Sequence, residues 1–189
     1  SNAWGRFDLA SNNRFYVKGG RIELDIPFTQ IRTPNLLSYD IYFANTGYEV
    51  DNIADHQDGG EIGGDLPHDF HWSAAVVGGH DPDFVDDLDA PEATKFEANV
   101  FLRLAKRWER IRFGAFAYIG RNHLARSGVS LDPDWKNDIT RVGIDANLWA
   151  QRLNVYGVGM YGRNSNAIAT PQQPAGTGEE QHFTGGFLQ

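Results

Sequence analysis

Two consecutive hairpins in the second half of the chain constrain the fold more than any other feature. Residues 96–105 and 111–120 alternate between apolar and polar side chains and are joined by a short turn, and the scheme returns at residues 139–150 and 154–162. A period of two predicts β-strands, and a short connection makes the two strands of each pair antiparallel neighbours. Long polar stretches at residues 121–137 and 163–180 predict long loops at the other end of these strands.

The rest of the chain continues this pattern. Further strands are predicted at residues 14–18, 21–28, 37–47, 61–66, 70–79 and 181–188, with Gly19 and Gly20 as a hairpin turn between the first two. The predicted fold class is therefore all-β, an antiparallel up-and-down meander that forms a β-barrel of about eight to ten strands or a segment of a larger barrel. Residues 1–3, Ser-Asn-Ala, match the remnant of an expression tag. Residues 4–189 are predicted to be a single β-barrel domain, either complete or a fragment.

The length of the predicted strands indicates whether this domain lies in a membrane or in water. Several predicted strands run to about ten residues, whereas strands of soluble proteins are typically about 5–6 residues long. Long strands with short turns on one side and long loops on the other are typical of outer-membrane barrels. On this interpretation Val142, Ile144 and Leu148 face lipid and the polar faces line the interior. A soluble barrel or sandwich would use the same alternation in the opposite sense, with its charges in bulk water.

Composition excludes several function classes. The net charge of -8 argues against a nucleic-acid partner, because no basic stripe is present to neutralise phosphates. The absence of cysteine removes disulfides and thiolate chemistry.

One predicted strand carries the residue types of a catalytic triad, Ser73, His71 and Asp69. They stand about 7 Å apart along the strand, which is too far for a nucleophile and its base to share a hydrogen bond. We therefore expect no enzyme activity, and the sequence predicts no cofactor.

One acidic loop could supply metal ligands. Residues 80–94 contain a run of aspartates, Asp81, Asp83, Asp86, Asp87 and Asp89. Carboxylate oxygens are the ligands that Ca²⁺ prefers, but the glycine and the terminal glutamate of an EF-hand loop are missing at their positions. A solvated acidic loop is the favoured interpretation over a metal site.

Four segments resemble strands of Gram-negative outer-membrane porin-like proteins, at residues 20–28, 69–79, 112–122 and 154–164. In the last two, a tyrosine and a glycine precede Arg-Asn where the strand passes into a loop, which is similar to such barrels. The resemblance covers most of the chain in strand style and transfers no functional residue. It implies a location in the Gram-negative outer membrane, with a lipid bilayer or detergent as the surroundings.

These observations lead to a functional hypothesis of transport: a porin-like channel for small polar or cationic solutes. The pore-lining candidates on the polar faces are Arg21, Glu23, Asp25, Glu97, Arg103, Arg112, Arg141 and Asp145. Their signs balance, so the strands predict no strong anion selectivity, and a cation preference would come from the acidic loop. The alternative is a soluble β-barrel or sandwich binding module without catalytic activity. Assembly into a homo-oligomer is left open.

Overall fold

The computed structural model describes residues 4–9, 14–27, 43–45, 50–53, 56–78, 98–123, 136–150, 153–167 and 178–189. Nearly all of these residues are in strands. The strands are β1 (Trp4–Asp8), β2 (Phe15–Glu23), β3 (Phe43–Asn45), β4 (Val50–Asn52), β5 (His56–Leu66), β6 (Phe70–Gly78), β7 (Ala98–Trp108), β8 (Ile111–His123), β9 (Lys136–Ala150), β10 (Leu153–Ala167) and β11 (Glu179–Leu188). A single 3-10 turn, Pro67–Asp69, joins β5 to β6.

Nine of these strands form one antiparallel sheet in the order β1-β2-β5-β6-β7-β8-β9-β10-β11, and β3 pairs with β4 in a separate hairpin. Sequence neighbours pair throughout the large sheet apart from the step from β2 to β5. The predicted all-β antiparallel meander is thus confirmed. Within the part of the chain that the structure describes, β1 and β11 are the two edges and the sheet does not close on itself.

Both predicted hairpins are present in the sheet. β7 pairs with β8 from Val100 opposite Ile119 to Trp108 opposite Ile111. β9 pairs with β10 over twelve residue pairs, from Leu153 opposite Ala150 onwards. These strands are even longer than the sequence indicated, since β9 and β10 each contain 15 residues.

The N-terminal third departs from the prediction in three places. The hairpin turn at Gly19 and Gly20 is wrong, because β2 runs through both glycines and is held extended by β1 on one side and β5 on the other. Gly20 has φ 113°, a conformation open to a residue without a Cβ. β1 was not predicted, and β5 begins at residue 56 instead of 61. Of the strand predicted at residues 37–47, only residues 43–45 are described, as β3.

The sheet is strongly curved. The Tyr118 hydroxyl of β8 donates a hydrogen bond of 2.9 Å to the Gln57 side-chain oxygen of β5. In a flat sheet these strands would lie three spacings apart, about 14 Å, so the sheet must curl to bring the two side chains together. We call the face that carries Phe101 and Tyr118 the inner face, and the opposite one the outer face.

Apolar side chains fill the middle of the inner face. Twelve buried residues form one cluster: Ile22, Leu24, Ile26, Ile53, Ala75, Val77, Phe101, Phe116, Tyr118, Ile139, Val158 and Met160. Phe183 and Phe187 of β11 pack against it. Members therefore come from nearly every strand of the large sheet, which fixes its curvature.

Candidate functional site: charged groups on the inner face

The centre of the candidate site is a buried ion pair between β7 and β9. The Arg103 Nη2 donates to both carboxylate oxygens of Asp145 at 3.1 Å. The two side chains are 3% and 0% exposed, so neither charge is shared with bulk water. Both residues have inner-face parity on strands separated by β8, and the curvature of the sheet brings them together. Arg112 of β8 lies farther from the same carboxylate, at 3.8 Å.

A glycine makes room for this pair. Gly114 lies on the inner face of β8, which runs between β7 and β9. A Cβ atom at this position would collide with the carboxylate of Asp145 and approach Arg103 Nη2 to 3.1 Å. Arg103 and Asp145 can therefore meet above the backbone of β8 only because residue 114 is a glycine and has no side chain.

Residues 24–27 follow β2 and pack onto the inner face. Leu24 and Ile26 are fully buried in the apolar cluster. Asp25 lies between them and reaches Arg103 by two routes, since its backbone oxygen accepts from Nη1 at 3.1 Å and its Oδ2 lies 3.5 Å from Nε. Ser73 Oγ also donates to Asp25 Oδ2, at 3.4 Å. This segment therefore narrows the space enclosed by the inner face.

His71 extends the charged cluster towards the short-turn end of the sheet. Its Nε2 lies 3.3 Å from Asp25 Oδ2, and its Nδ1 lies 2.9 Å from Asp65 Oδ1. An imidazole between two carboxylates links β5, β6 and the segment that follows β2. The inner-face charge cluster is defined here as Asp25, His71, Arg103, Arg112 and Asp145.

Two further polar groups were not singled out by the sequence. Tyr118 accepts from Asn99 Nδ2 at 2.8 Å and donates to Gln57, which itself donates to the Ile53 backbone oxygen at 3.2 Å. A tyrosine on the polar face of an otherwise apolar strand was the signal available in the sequence. The hydrogen bonds themselves depend on sheet curvature, which the alternation pattern does not encode.

The other group lies between β2 and β5. Glu61 is 1% exposed, and its Oε1 lies 2.6 Å from Lys18 Nζ and accepts from the Tyr16 hydroxyl at 2.7 Å. The guanidinium of Arg6 stacks over the Tyr16 ring at 4.2 Å. The sequence did not indicate this group, because the turn predicted at residues 19 and 20 divided β2 into two strands. The whole of β2 pairs with β5, and this pairing places Lys18 opposite Glu61.

The predicted pore-lining residues divide into three sets. Asp25, Arg103, Arg112 and Asp145 come together in the inner-face charge cluster. Arg141 is also buried on the inner face, where it donates to two backbone oxygens, of Thr140 and Arg163, and lies 4.7 Å from the Phe183 ring centre.

The second set lies outside this arrangement, and the third set lies outside the described residues. Arg21 is exposed and Glu23 is half-buried, on the side of β2 opposite the buried Ile22. The reason is that the buried Ile22 takes the inner-face position between them, and alternation along the strand turns Arg21 and Glu23 to the other side. Glu97 and the acidic loop with Asp81, Asp83, Asp86, Asp87 and Asp89 lie outside the described residues.

Two features are absent from the described residues, a cluster of metal ligands and a membrane-spanning helix. Within the described ranges, no group of three His, Cys, Asp or Glu side chains is arranged to hold a metal ion. None of the helical structure described there is long and apolar enough to cross a membrane.

Comparison with known proteins identifies no similar protein. No protein-family model, no curated protein and no solved structure matches the chain. The two faces of the sheet therefore provide the evidence for function.

Proposed function

We propose that the protein is a porin-like barrel protein of the Gram-negative outer membrane, whose inner face lines a route for small polar or cationic solutes. The observation that carries the proposal is the distribution of side chains between the two faces. Large apolar residues are exposed on the outer face, while charged residues are buried beside the apolar cluster on the inner face.

The outer face carries the apolar side chains. Ile144 is 68% exposed, Ile119 58% and Leu102 51%, and Phe113 and Leu104 are similarly exposed. A monomeric soluble protein rarely exposes a contiguous apolar surface of this kind. Lipid would remove these side chains from water, while neighbouring strands already satisfy the backbone groups.

The height of the apolar surface matches a bilayer. On β8 the outer positions from Ile111 to Ile119 are apolar over nine residues, and Arg121 is the first exposed charge. A tilted strand needs about 9–11 residues to cross the hydrocarbon core. Beyond this apolar band, exposed ion pairs join β8 to β9 and β10 to β11 on the outer face, namely Arg121 with Asp138 and Arg163 with Glu180.

The accessible members of the inner-face charge cluster, Asp25, His71 and Arg112, supply the polar lining of the proposed route. Arg103 and Arg112 come from β7 and β8, and the carboxylates of Asp25 and Asp145 lie on either side of them. Opposite charges that face each other across a narrow lumen create a transverse field that acts on polar solutes. Residues 24–27 narrow this route, which favours small solutes and a small conductance.

A second candidate function is a soluble β-barrel or sandwich binding module. The twelve-residue apolar cluster on the inner face favours it, because a packed interior is what a soluble barrel needs. The exposed apolar residues of β7, β8 and β9 argue against it. Purification separates the two candidates, since a soluble module stays monodisperse without detergent.

The proposed function is tested by planar-bilayer recording of the purified protein under a salt gradient. We expect small, discrete conductance steps and a reversal potential without anion preference, because the arginines of the inner face are matched by carboxylates. A marked anion preference would refute the charge argument. A protein that is monodisperse without detergent and shows no conductance would support the binding module instead.

A further inference from the structure

The turn between β7 and β8 concentrates positive charge at the short-turn end of the sheet. Residues 106–112 contain four basic side chains, Lys106, Arg107, Arg110 and Arg112, and one carboxylate, Glu109. The whole chain has a net charge of -8, so this turn is a local exception in an acidic protein. Its charge complements a negatively charged partner.

Three of these basic groups have no carboxylate partner among the described residues. Arg112 lies 3.8 Å from Asp145, whereas no described carboxylate forms an ion pair with Lys106, Arg107 or Arg110. At the long-loop end, by contrast, the exposed arginines of β8 and β10 are each paired with a carboxylate. The β7–β8 turn therefore carries charge that the described residues do not neutralise.

The neighbouring turn, between β5 and β6, does not supply the missing counter-charge. It carries Asp65 and Asp69, and Asp65 is already in contact with His71 at 2.9 Å. Neither aspartate forms an ion pair with the three basic groups of the β7–β8 turn. The partner of these groups therefore comes from outside the described part of the chain.

Aromatic side chains border the basic groups at the end of the apolar band. Lys106 lies on the outer face between Phe70 of β6 and Phe113 of β8, and its Nζ is 4.6 Å from the centre of the Phe70 ring. Trp108, two residues further along β7, is 68% exposed. Exposed aromatic rings beside a lysine, where an apolar strand surface ends, are typical of a membrane–water interface.

Contacts with β9 hold the backbone of the turn in place. The Trp149 backbone N–H donates to the Arg110 oxygen at 2.8 Å, and the guanidinium carbon of Arg107 lies 5.8 Å from the centre of the Trp149 ring. The basic side chains are therefore presented by an ordered turn directly beside the apolar band.

We propose that the basic turn, defined as Lys106, Arg107, Trp108 and Arg110, binds the negatively charged headgroups of phospholipids at the membrane surface. The inference rests on the proposed membrane location and adds a lipid preference to it. A layer of headgroups fits these observations because it is continuous with the lipid that would cover the outer face, and it requires no fixed spacing between the basic groups. Basic residues beside an anionic membrane surface attract such lipids, and salt screens the attraction.

Tryptophan quenching in vesicles tests this lipid preference. The vesicles contain equal parts of phosphatidylcholine and phosphatidylglycerol, and one lipid or the other carries bromine on its acyl chains, which quenches tryptophan on contact. Trp108 and Trp149 lie at the short-turn end of their strands and report on lipid next to the basic turn. We expect brominated phosphatidylglycerol to quench more strongly, with a roughly fivefold preference, the value for one basic residue at an anionic surface. The preference should disappear at about 1 M salt.

Two double variants locate the preference. Lys106→Gln combined with Arg110→Gln should remove most of it. The matched control, Arg121→Gln combined with Arg163→Gln, removes the same number of positive charges from the long-loop end and should keep it. All four residues are exposed, so both variants should retain the strand signal in circular dichroism.

The outcomes separate the lipid preference from the membrane location. Equal quenching by the two brominated lipids would overturn the headgroup assignment and leave the membrane location intact. A preference that survives in the Lys106 and Arg110 variant, or that falls equally in both variants, would also overturn the assignment to the basic turn. No quenching by either lipid would show that the protein does not enter the bilayer, and the proposed membrane location would fail together with this inference.

Discussion

At the residue scale, the inner face holds charges at positions where a soluble core would hold apolar groups. Arg103 and Asp145 are nearly inaccessible, and among the described residues other members of the inner-face charge cluster supply their counter-charges. Removal of one partner of a buried pair leaves an uncompensated charge, which costs far more than the pair itself contributes. Exposed pairs such as Arg121 with Asp138 contribute little, because water already solvates both groups.

The substitution Asp145→Asn tests this difference. We expect it to lower the free energy of unfolding by about 3 kcal/mol, near the lower limit for a broken buried pair, because Asp25 still contacts Arg103. The matched control is Asp138→Asn, another aspartate of β9 with an arginine partner, which should cost less than about 1 kcal/mol. Urea unfolding of both variants measures the difference. Equal losses would show that burial of the Arg103 pair does not matter.

At the element scale, most strands of the large sheet follow from the local pattern, whereas β1, the start of β5 and the path of residues 24–27 do not. The alternation of Ile22, Leu24 and Ile26 continues past the end of β2, so the sequence predicts one strand through residue 28. In the structure β2 ends at Glu23. Asp25 then forms polar contacts with Ser73, His71 and Arg103, which are far away in sequence, and these contacts hold the segment on the inner face. Contacts of this kind decide where the segment goes, and no local signal reports them.

Leu24→Ala combined with Ile26→Ala tests whether residues 24–27 are a barrier that narrows the proposed route for solutes. Both side chains are fully buried in the apolar cluster of the inner face, and their truncation removes apolar volume from the interior. We expect a larger single-channel conductance in planar bilayers than for the unmodified protein. The control pair is Phe15→Ala with Ile62→Ala, which truncates two exposed apolar residues of β2 and β5 and should leave the conductance unchanged. An unchanged conductance in the first variant would show that residues 24–27 are not the barrier.

At the scale of the whole molecule, the period of two in the sequence was enough to predict the meander and the assignment of residues to two faces of β7, β8 and β9. The same alternation placed Arg103, Arg112 and Asp145 on one face. It could not predict that Tyr118 reaches Gln57, or that Glu61 is buried with Lys18, because these contacts follow from the curvature and from the β2–β5 pairing. Alternation also leaves open which face would meet lipid in the proposed membrane protein, and the proposal chooses the outer face because its apolar side chains are exposed.

Nitroxide labels on β9 test that assignment in the folded protein. The chain contains no cysteine, so Asp138→Cys, Ile144→Cys and Asn147→Cys each give one labelling site. Asp138 and Ile144 share the outer face, while Asn147 is buried on the inner face.

In lipid vesicles we expect oxygen, which concentrates in the hydrocarbon core, to relax the label at 144 most strongly. A water-soluble relaxing agent should act mainly on the label at 138, because the exposed pair with Arg121 lies beyond the apolar band. The label at 147 should show low accessibility to oxygen, because the sheet separates the inner face from lipid. If the water-soluble agent relaxed the label at 144 as strongly as that at 138, the outer face would meet water, and the membrane proposal would fail while the sheet itself remained intact.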